Sequence, residues 1–426
     1  MKKALIVTVG GSDEPIVQAI KSYEPDFVYF ICSKGDVRTG STHQVDGEGK
    51  ICCRRREIKC LNCSNIIEKG EYYPSIVVQA GYPKEKYKKI ELDNPDDFEE
   101  VYKKISSTIA EAKQQNFDEI IADFTGGTKT MSAVLEMLAC FDWDIKLSLV
   151  KGQRRDVVKT TVGSVPVILD VSLARANYVL NIVDALISRY LYYSACLLLE
   201  DLLKNDLPSS IQSAIIRKYS ICKAFSCWDS FEYREAFKLL KAYAGEYEKQ
   251  FQYLLKLLGK TKHSAYEPVF DLISNAERQA KNGFYNNATA RLYRALELFA
   301  QIRLKTTYGI DTSHIERVSE EVKKKISFEK YERYKNEDGE IKIGLIQAYE
   351  LLAELSDEIG SLYKNQKNEF IRNIKIRNES KLGHGDMPVN ENDWCKMLSF
   401  CKKFIEECCG KLKIKVEYAE LPCKLS

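Results

Sequence analysis

Ile120-Ile121-Ala122-Asp123-Phe124-Thr125-Gly126-Gly127-Thr128-Lys129-Thr130 passes from an apolar run through a glycine turn into a helical pattern that continues to Cys140. A strand feeding directly into a helix is half of a strand–helix–strand unit, and Lys146–Val150 supplies the next strand. The chain opens in the same way. Ala4-Leu5-Ile6-Val7-Thr8-Val9 is a continuous run rich in β-branched residues, it stops at Gly10-Gly11, and a helical Glu14–Tyr23 leads to a second run at Phe27–Cys32. Pro166–Leu169 closes the set. Continuous apolar runs of this length suit parallel strands covered on both sides. Residues 1–170 therefore read as an α/β domain with a doubly wound sheet, whose ligands belong beyond the C-terminal strand ends.

From about Ser172 the pattern is helical. Apolar residues recur at helical spacing through Asn177–Leu203, Ser213–Phe225, Tyr233–Leu258, Glu267–Lys281, Asn286–Leu304, Gly344–Leu362 and Trp394–Cys409. Leu412–Tyr418 reads as a strand, the exception in an otherwise all-α region spanning 171–426. Thr39–Gly81 matches neither half. It holds His43, Cys52, Cys53, Cys60 and Cys63 and reads as an insertion in the α/β domain.

Composition narrows the function classes. A chain of 426 residues with 45% hydrophobic and 29% charged residues is a globular protein of two or three domains. Its formal charge of +3 gives no global field for nucleic acid, so RNA contact falls to a local patch. The apolar Ala4–Val9 segment is too short for a signal-peptide core, and Ser194, Glu200 and Asp201 break the apolar Leu191–Leu203 stretch. Fourteen scattered cysteines without an export signal read as reduced thiols, which makes the cytoplasm the expected location and a membrane an unexpected partner.

Chemistry concentrates at Arg377-Asn378-Glu379-Ser380-Lys381-Leu382-Gly383-His384-Gly385. Asn368–Leu382 reads as helix, ended by Gly383 with Asp386 and Pro388 beyond. Seven positions make about two helical turns, roughly 10 Å of rise, so Arg377 and His384 fall on one side of the helix end. A guanidinium there neutralises charge building on a phosphate, and an imidazole moves a proton. Attack by an RNA 2′-hydroxyl needs both functions and no metal. A surface arginine beside a loop histidine is the competing reading of so short a motif.

Two glycine turns form the second signal, Gly10-Gly11-Ser12 after the first strand and Thr125-Gly126-Gly127-Thr128-Lys129 after a later one. Glycines admit a ligand close to the backbone, hydroxyls donate to phosphate, and the following helix N-terminus favours anions. Geometry alone also recruits glycine to such turns. Neither turn is a Walker A or a GxGxxG sequence, which disfavours ATP hydrolysis and dinucleotide redox chemistry. Cys60-x2-Cys63 is half of a zinc site; Cys52, Cys53 or His43 are candidates for the remaining ligands, against ordinary thiols.

The Arg377–Asn378–His384 arrangement resembles the arginine–polar–spacer–histidine signature of HEPN ribonucleases, whose domains are helical bundles. Asn286–Glu297 is similar to the long helix preceding that motif, with Arg291, Arg294 and Glu297 as candidates to line the site or to form a solvated face. The glycine turns resemble those of CARF domains, the Rossmann-like sensors of type III CRISPR systems. The two halves together resemble the CARF–HEPN ribonucleases over essentially the whole chain, including a subgroup with a cysteine-bearing insertion. The resemblance implies a homodimer with paired Arg–His motifs and single-stranded RNA as substrate. It also implies a cyclic tetra- or hexa-adenylate activator bound at Gly10, Gly11, Ser12, Thr125, Gly126, Gly127, Thr128 and Lys129. Catalysis is expected to need no cofactor, with a structural zinc at Cys52, Cys53, Cys60 and Cys63 and slow cleavage of the activator involving Ser12 or Thr128 as further expectations. A non-catalytic nucleotide sensor and a metal-dependent DNA nuclease are the competing functions. The second lacks a paired carboxylate–lysine set.

Overall fold

The computed structural model describes residues 1–35, 39–47, 49, 51–52, 71–72, 74–152, 154–155, 158–159, 164–383 and 385–425. The chain divides into two compact units, Met1–Tyr178 with Asn205–Pro208, and Val179–Lys204 with Ser209–Ser426.

In the first unit the chain runs through β1 (Lys3–Val9), α1 (Glu14–Tyr23), β2 (Phe27–Ser33), β3 (Tyr87–Leu92), α2 (Phe98–Gln114), β4 (Glu119–Asp123), α3 (Lys129–Cys140), β5 (Ile145–Lys151) and β6 (Val165–Ile168). The strands make one six-stranded sheet in the order β6-β5-β4-β1-β2-β3. All pairings are parallel except that of β6 with β5. Pro166 sits in that antiparallel edge strand, where a missing N–H costs least. The continuous run of β1 divides by period two. Ala4 and Ile6 pack with Val101 and Ile105 of α2 and Met131 and Val134 of α3, while Leu5, Val7 and Val9 pack with Ile16, Val17 and Ile20 of α1. Helices thus cover both faces, as a doubly wound sheet requires. Winding proceeds from β1 to β2 and β3 on one side and through β4 to β5 and β6 on the other. The reversal lies between the C-terminal ends of β1 and β4, where both glycine turns begin.

The division of the chain falls within α4 (Ser172–Ser188). The second unit continues through α5 (Tyr192–Leu203), α6 (Ser209–Asp229), α7 (Tyr233–Leu240), α8 (Glu248–Leu257), α9 (Glu267–Lys281), α10 (Tyr285–Tyr308), α11 (Leu345–Glu354), α12 (Glu358–Asn378) and α13 (Glu391–Leu412), with shorter helical turns between. Left-handed residues break two of the expected long helices, Tyr190 (φ 62°) between α4 and α5 and Ser356 (φ 58°) between α11 and α12. Asp357 then caps α12, its carboxylate accepting from Ile359 N at 2.9 Å while Arg303 and Tyr308 hold it from α10. Leu412–Tyr418 is not a strand. Ile414, Val416 and Tyr418 bury alternate side chains against the helical core, which gives the period-two pattern without a pairing partner. Phe370 of α12 is buried with its ring centroid 5.0 Å from that of Tyr349 and 5.1 Å from that of Phe404, an aromatic anchor that fixes α12 against α11 and α13. Among the described residues no helix is long and apolar enough to cross a membrane.

Candidate functional site

Phe370, Ile374 and Arg377 lie at i, i+4 and i+7 on one face of α12. The first two are buried in the core, and the third reaches the end of that stripe half-buried. The guanidinium carbon of Arg377 lies 4.5 Å from the ring centroid of Tyr293 on α10, and Nη1 donates to the Asn378 amide oxygen at 3.3 Å. Among the described residues no carboxylate is paired with Arg377. The neighbouring cations differ in this respect, since Arg294 is bound to Glu297 at 2.7 Å and Arg303 to Asp357 at 2.8 Å. Arg377 Nε is buried without a hydrogen-bond partner. A cation stacked on a ring, with its charge unneutralised by the protein, is suited to an incoming phosphate.

Helix α12 ends at Asn378 rather than at Leu382. Ser380 takes over the freed carbonyl, its N–H and hydroxyl both donating to Arg377 O at 3.1 and 2.7 Å. Gly383 N donates to Ser380 O at 2.8 Å, Met387 N returns to Glu379 O at 3.2 Å, and Val389 N is held by the Asn286 side chain of α10 at 3.1 Å. A Cβ at Gly383 would collide with Arg377 O, and one at Gly385 with Glu379 O. Both sequence neighbours of His384 are therefore glycines pressed against the helix end. His384 itself lies outside the described residues.

Of the α10 residues singled out by sequence, Arg291 is committed elsewhere. Its Nε donates to Asn275 Oδ1 and its Nη1 to Asn287 O at 3.0 Å, and burial lowers its pKa. Arg294 and Glu297 satisfy each other, with Gln301 accepting from Arg294 at 2.8 Å. Tyr293, between them, is the α10 residue that meets Arg377. Burial raises its hydroxyl pKa, Glu297 adds to the shift, and Arg377 opposes it. Sequence reading passes over Tyr293, because its helical spacing marks it only as a core position.

The two glycine turns of the first unit are in contact. A Cβ on Gly10 would stand 2.6 Å from Gly127 N, one on Gly126 would collide with Thr8 O, and Gly127 adopts φ 85° with Thr8 Cβ 2.8 Å from where its own would be. Thr8 Oγ1 and Ser132 Oγ both donate to Gly126 O at 2.6 Å, which clamps the second turn to β1. Beneath it lies a buried chain. Asp123 accepts from Thr125 N at 3.0 Å and from Ser148 Oγ at 2.6 Å, and Ser148 Oγ meets Tyr23 OH at 2.9 Å. Burial raises the Tyr23 pKa, against the hydrogen bond with Ser148. The sequence reading gives no site role to Thr8, Asp123, Ser148 or Tyr23 individually.

The hydroxyls divide into two kinds. Thr128 caps α3 by accepting from Met131 N at 3.3 Å and gives its proton to Pro95 O at 2.9 Å, so it has none for a phosphate. Thr125 Oγ1 accepts from Val150 N at 2.7 Å, and among the described residues its hydroxyl donates to no acceptor. Gly11, Ser12 and Lys129 are exposed, and a Cβ at Gly11 would meet nothing within 4 Å. The turns thus join backbone amides, the Thr125 and Ser12 hydroxyls and a lysine at the reversal point, an arrangement that fits an anionic ligand.

The proposed zinc ligands Cys53, Cys60 and Cys63 lie outside the described residues, and of Cys52 only the backbone is described, paired with Glu71 in a two-residue ladder. His43 lies in the short helix Thr42–Asp46. Among the described residues no cluster of three or more metal-ligating side chains occurs.

A Rossmann-like sheet with clasped glycine turns is followed along the chain by a helical unit with an arginine at a helix end. Residues 259–408 match the family described as the Csm6 HEPN domain, a span that contains Tyr293, Arg377, Asn378 and His384. Among solved structures, Enterococcus italicus Csm6 bound to cyclic hexa-2′-fluoro-hexa-dAMP has the same fold, with TM-score 0.54 and 13% identity over 96% of this chain and 95% of that one. No curated protein sequence matches the chain.

Proposed function

We propose that the chain is an endoribonuclease of type III CRISPR defence that acts in the cytoplasm as a homodimer and is switched on by a cyclic oligoadenylate. The observation that carries the reading is the Arg377 guanidinium, stacked on Tyr293 and free of any carboxylate among the described residues, within the span that matches the Csm6 HEPN family. In the reaction the RNA 2′-oxygen attacks the adjacent phosphorus and gives its proton to the His384 imidazole, while the bond to the 5′-oxygen breaks and that oxygen takes up a proton. Arg377 neutralises the charge that gathers on the non-bridging oxygens. Asn378 holds the guanidinium through its amide oxygen. The products are a 2′,3′-cyclic phosphate and a 5′-hydroxyl, and no divalent ion takes part.

The activator binds at Gly10, Gly11, Ser12, Thr125, Gly126, Gly127 and Lys129 of two paired sensor domains, and it acts by favouring the dimer state in which two Arg377–His384 motifs are assembled. Thr128 contributes as the α3 cap. Any cleavage of the activator falls to Ser12 rather than Thr128, whose hydroxyl is already used. The solved relative named above holds a six-membered cyclic nucleotide analogue, so the hexa-adenylate is the first ring to test. Purified protein is assayed on single-stranded RNA with cyclic tri-, tetra- and hexa-adenylate in EDTA. Stimulation by one ring size supports the proposal; equal cleavage with and without every ring contradicts the switch, and no cleavage with any ring favours a non-catalytic sensor.

Two substitutions test the backbone geometry. Overpacking a tight contact costs about 1–3 kcal/mol. Gly383→Ala forces the turn away from Arg377 O and should lower cleavage about 10- to 100-fold with activator affinity unchanged. Gly126→Ala collides with Thr8 O and should weaken activator binding about 10- to 100-fold, while cleavage at saturating activator approaches the wild-type rate. Isothermal titration and cleavage rates distinguish the two.

A further inference from the structure

Arg377 is a flexible side chain at a helix end, and a guanidinium that wanders loses most of its value to a transition state. Asn378 is its next neighbour in sequence, and their 3.3 Å contact alone leaves the plane of the guanidinium free to tilt. Tyr293 restrains it from another helix. Its ring packs half-buried against the core of the second unit, on the same helix as the buried Leu292 and Leu296, and the guanidinium carbon stands 4.5 Å from its centroid. A ring face at that distance attracts the cation without using any of its N–H donors, whereas a carboxylate in the same place would neutralise the charge and compete with phosphate.

We infer that Tyr293 is a positioning residue for the ribonuclease reaction, holding the Arg377 guanidinium over its ring face so that the donors stay directed at the scissile phosphate. The inference rests on the proposed role of Arg377. The hydroxyl has no part in it, so the ring and not the phenol is what matters. Loss of the ring is expected to act on kcat, because the guanidinium is needed most where charge gathers in the transition state.

The test compares Tyr293→Leu, Tyr293→Phe and Tyr293→Trp in the full-length, activator-saturated protein, with melting temperature and activator affinity measured alongside. Tyr293→Leu should lower kcat about 10-fold, equivalent to about 1.4 kcal/mol, with KM and activator affinity within about twofold of wild type. Tyr293→Phe and Tyr293→Trp should stay within about threefold in kcat. Equal loss in Leu and Phe would assign the role to the hydroxyl and overturn the inference. So would a Leu variant with wild-type kcat, or one whose loss lies in KM or follows a lowered melting temperature that Phe shares. Arg377→Lys, measured in parallel, separates the two levels. If it cleaves at the wild-type rate the catalytic role of Arg377 fails; if it is slow while Tyr293→Leu is normal, only the positioning role fails.

Discussion

Arg377→Ala is expected to lower RNA cleavage about 100- to 1,000-fold while activator affinity and the melting temperature stay near wild type. The magnitude is that of removing one preorganised donor from a developing oxyanion. The stability expectation follows from the environment of the side chain. Arg377 makes one hydrogen bond to its sequence neighbour, rests on the face of Tyr293, and has no ion pair among the described residues. Its removal breaks no buried network, unlike removal of Arg278, which joins Asp229 at 2.7 Å and approaches Asp271 to 3.8 Å inside the second unit. Single-turnover cleavage and thermal melting of the same preparation check both halves. A large fall in melting temperature would make Arg377 a structural residue, and unchanged cleavage would remove it from the site.

His384→Ala is expected to lower cleavage by about 100- to 10,000-fold, the range for the loss of a positioned acid–base group. The mutant should bind the cyclic oligoadenylate as tightly as wild type, because the residues proposed to hold the activator belong to the other unit. His384→Ala and Arg377→Ala together should cost far less than the product of the single effects, since both groups serve one transition state. Independent, multiplicative losses would mean that the two act in separate steps.

The α/β unit was legible where one physical signal dominated. The continuous runs of β1 and β4 and the glycines at 10, 126 and 127 follow from burial on both faces and from backbones too close for a Cβ. β3 was not legible. Lys88, Lys89 and Glu91 of Tyr87–Leu92 look like a surface loop in sequence, yet charges of this kind suit an edge strand with one neighbour. The helical unit was legible in content and less so in its breaks. Tyr190 and Ser356 enter the left-handed region without a glycine to announce it, and α12 stops at Asn378 because Ser380 and Gly383 fold back onto its last carbonyls. At the candidate site, spacing singled out Arg377 and the resemblance to the HEPN signature added Asn378, but Tyr293 is 84 positions away in the chain and only the packing of α10 against α12 brings it near. The same holds for the Asp123–Ser148–Tyr23 chain beneath the glycine turns, which joins residues of β4, β5 and α1.

The central claim is that a guanidinium and an imidazole cut RNA by 2′-hydroxyl attack, without metal. The most direct measurement is the chemistry of the product ends formed by activated wild-type protein in EDTA, read by mass spectrometry. A 2′,3′-cyclic phosphate with a 5′-hydroxyl on the adjoining fragment is the predicted result. A 5′-phosphate with a 3′-hydroxyl, or loss of all cleavage on chelation, would contradict it.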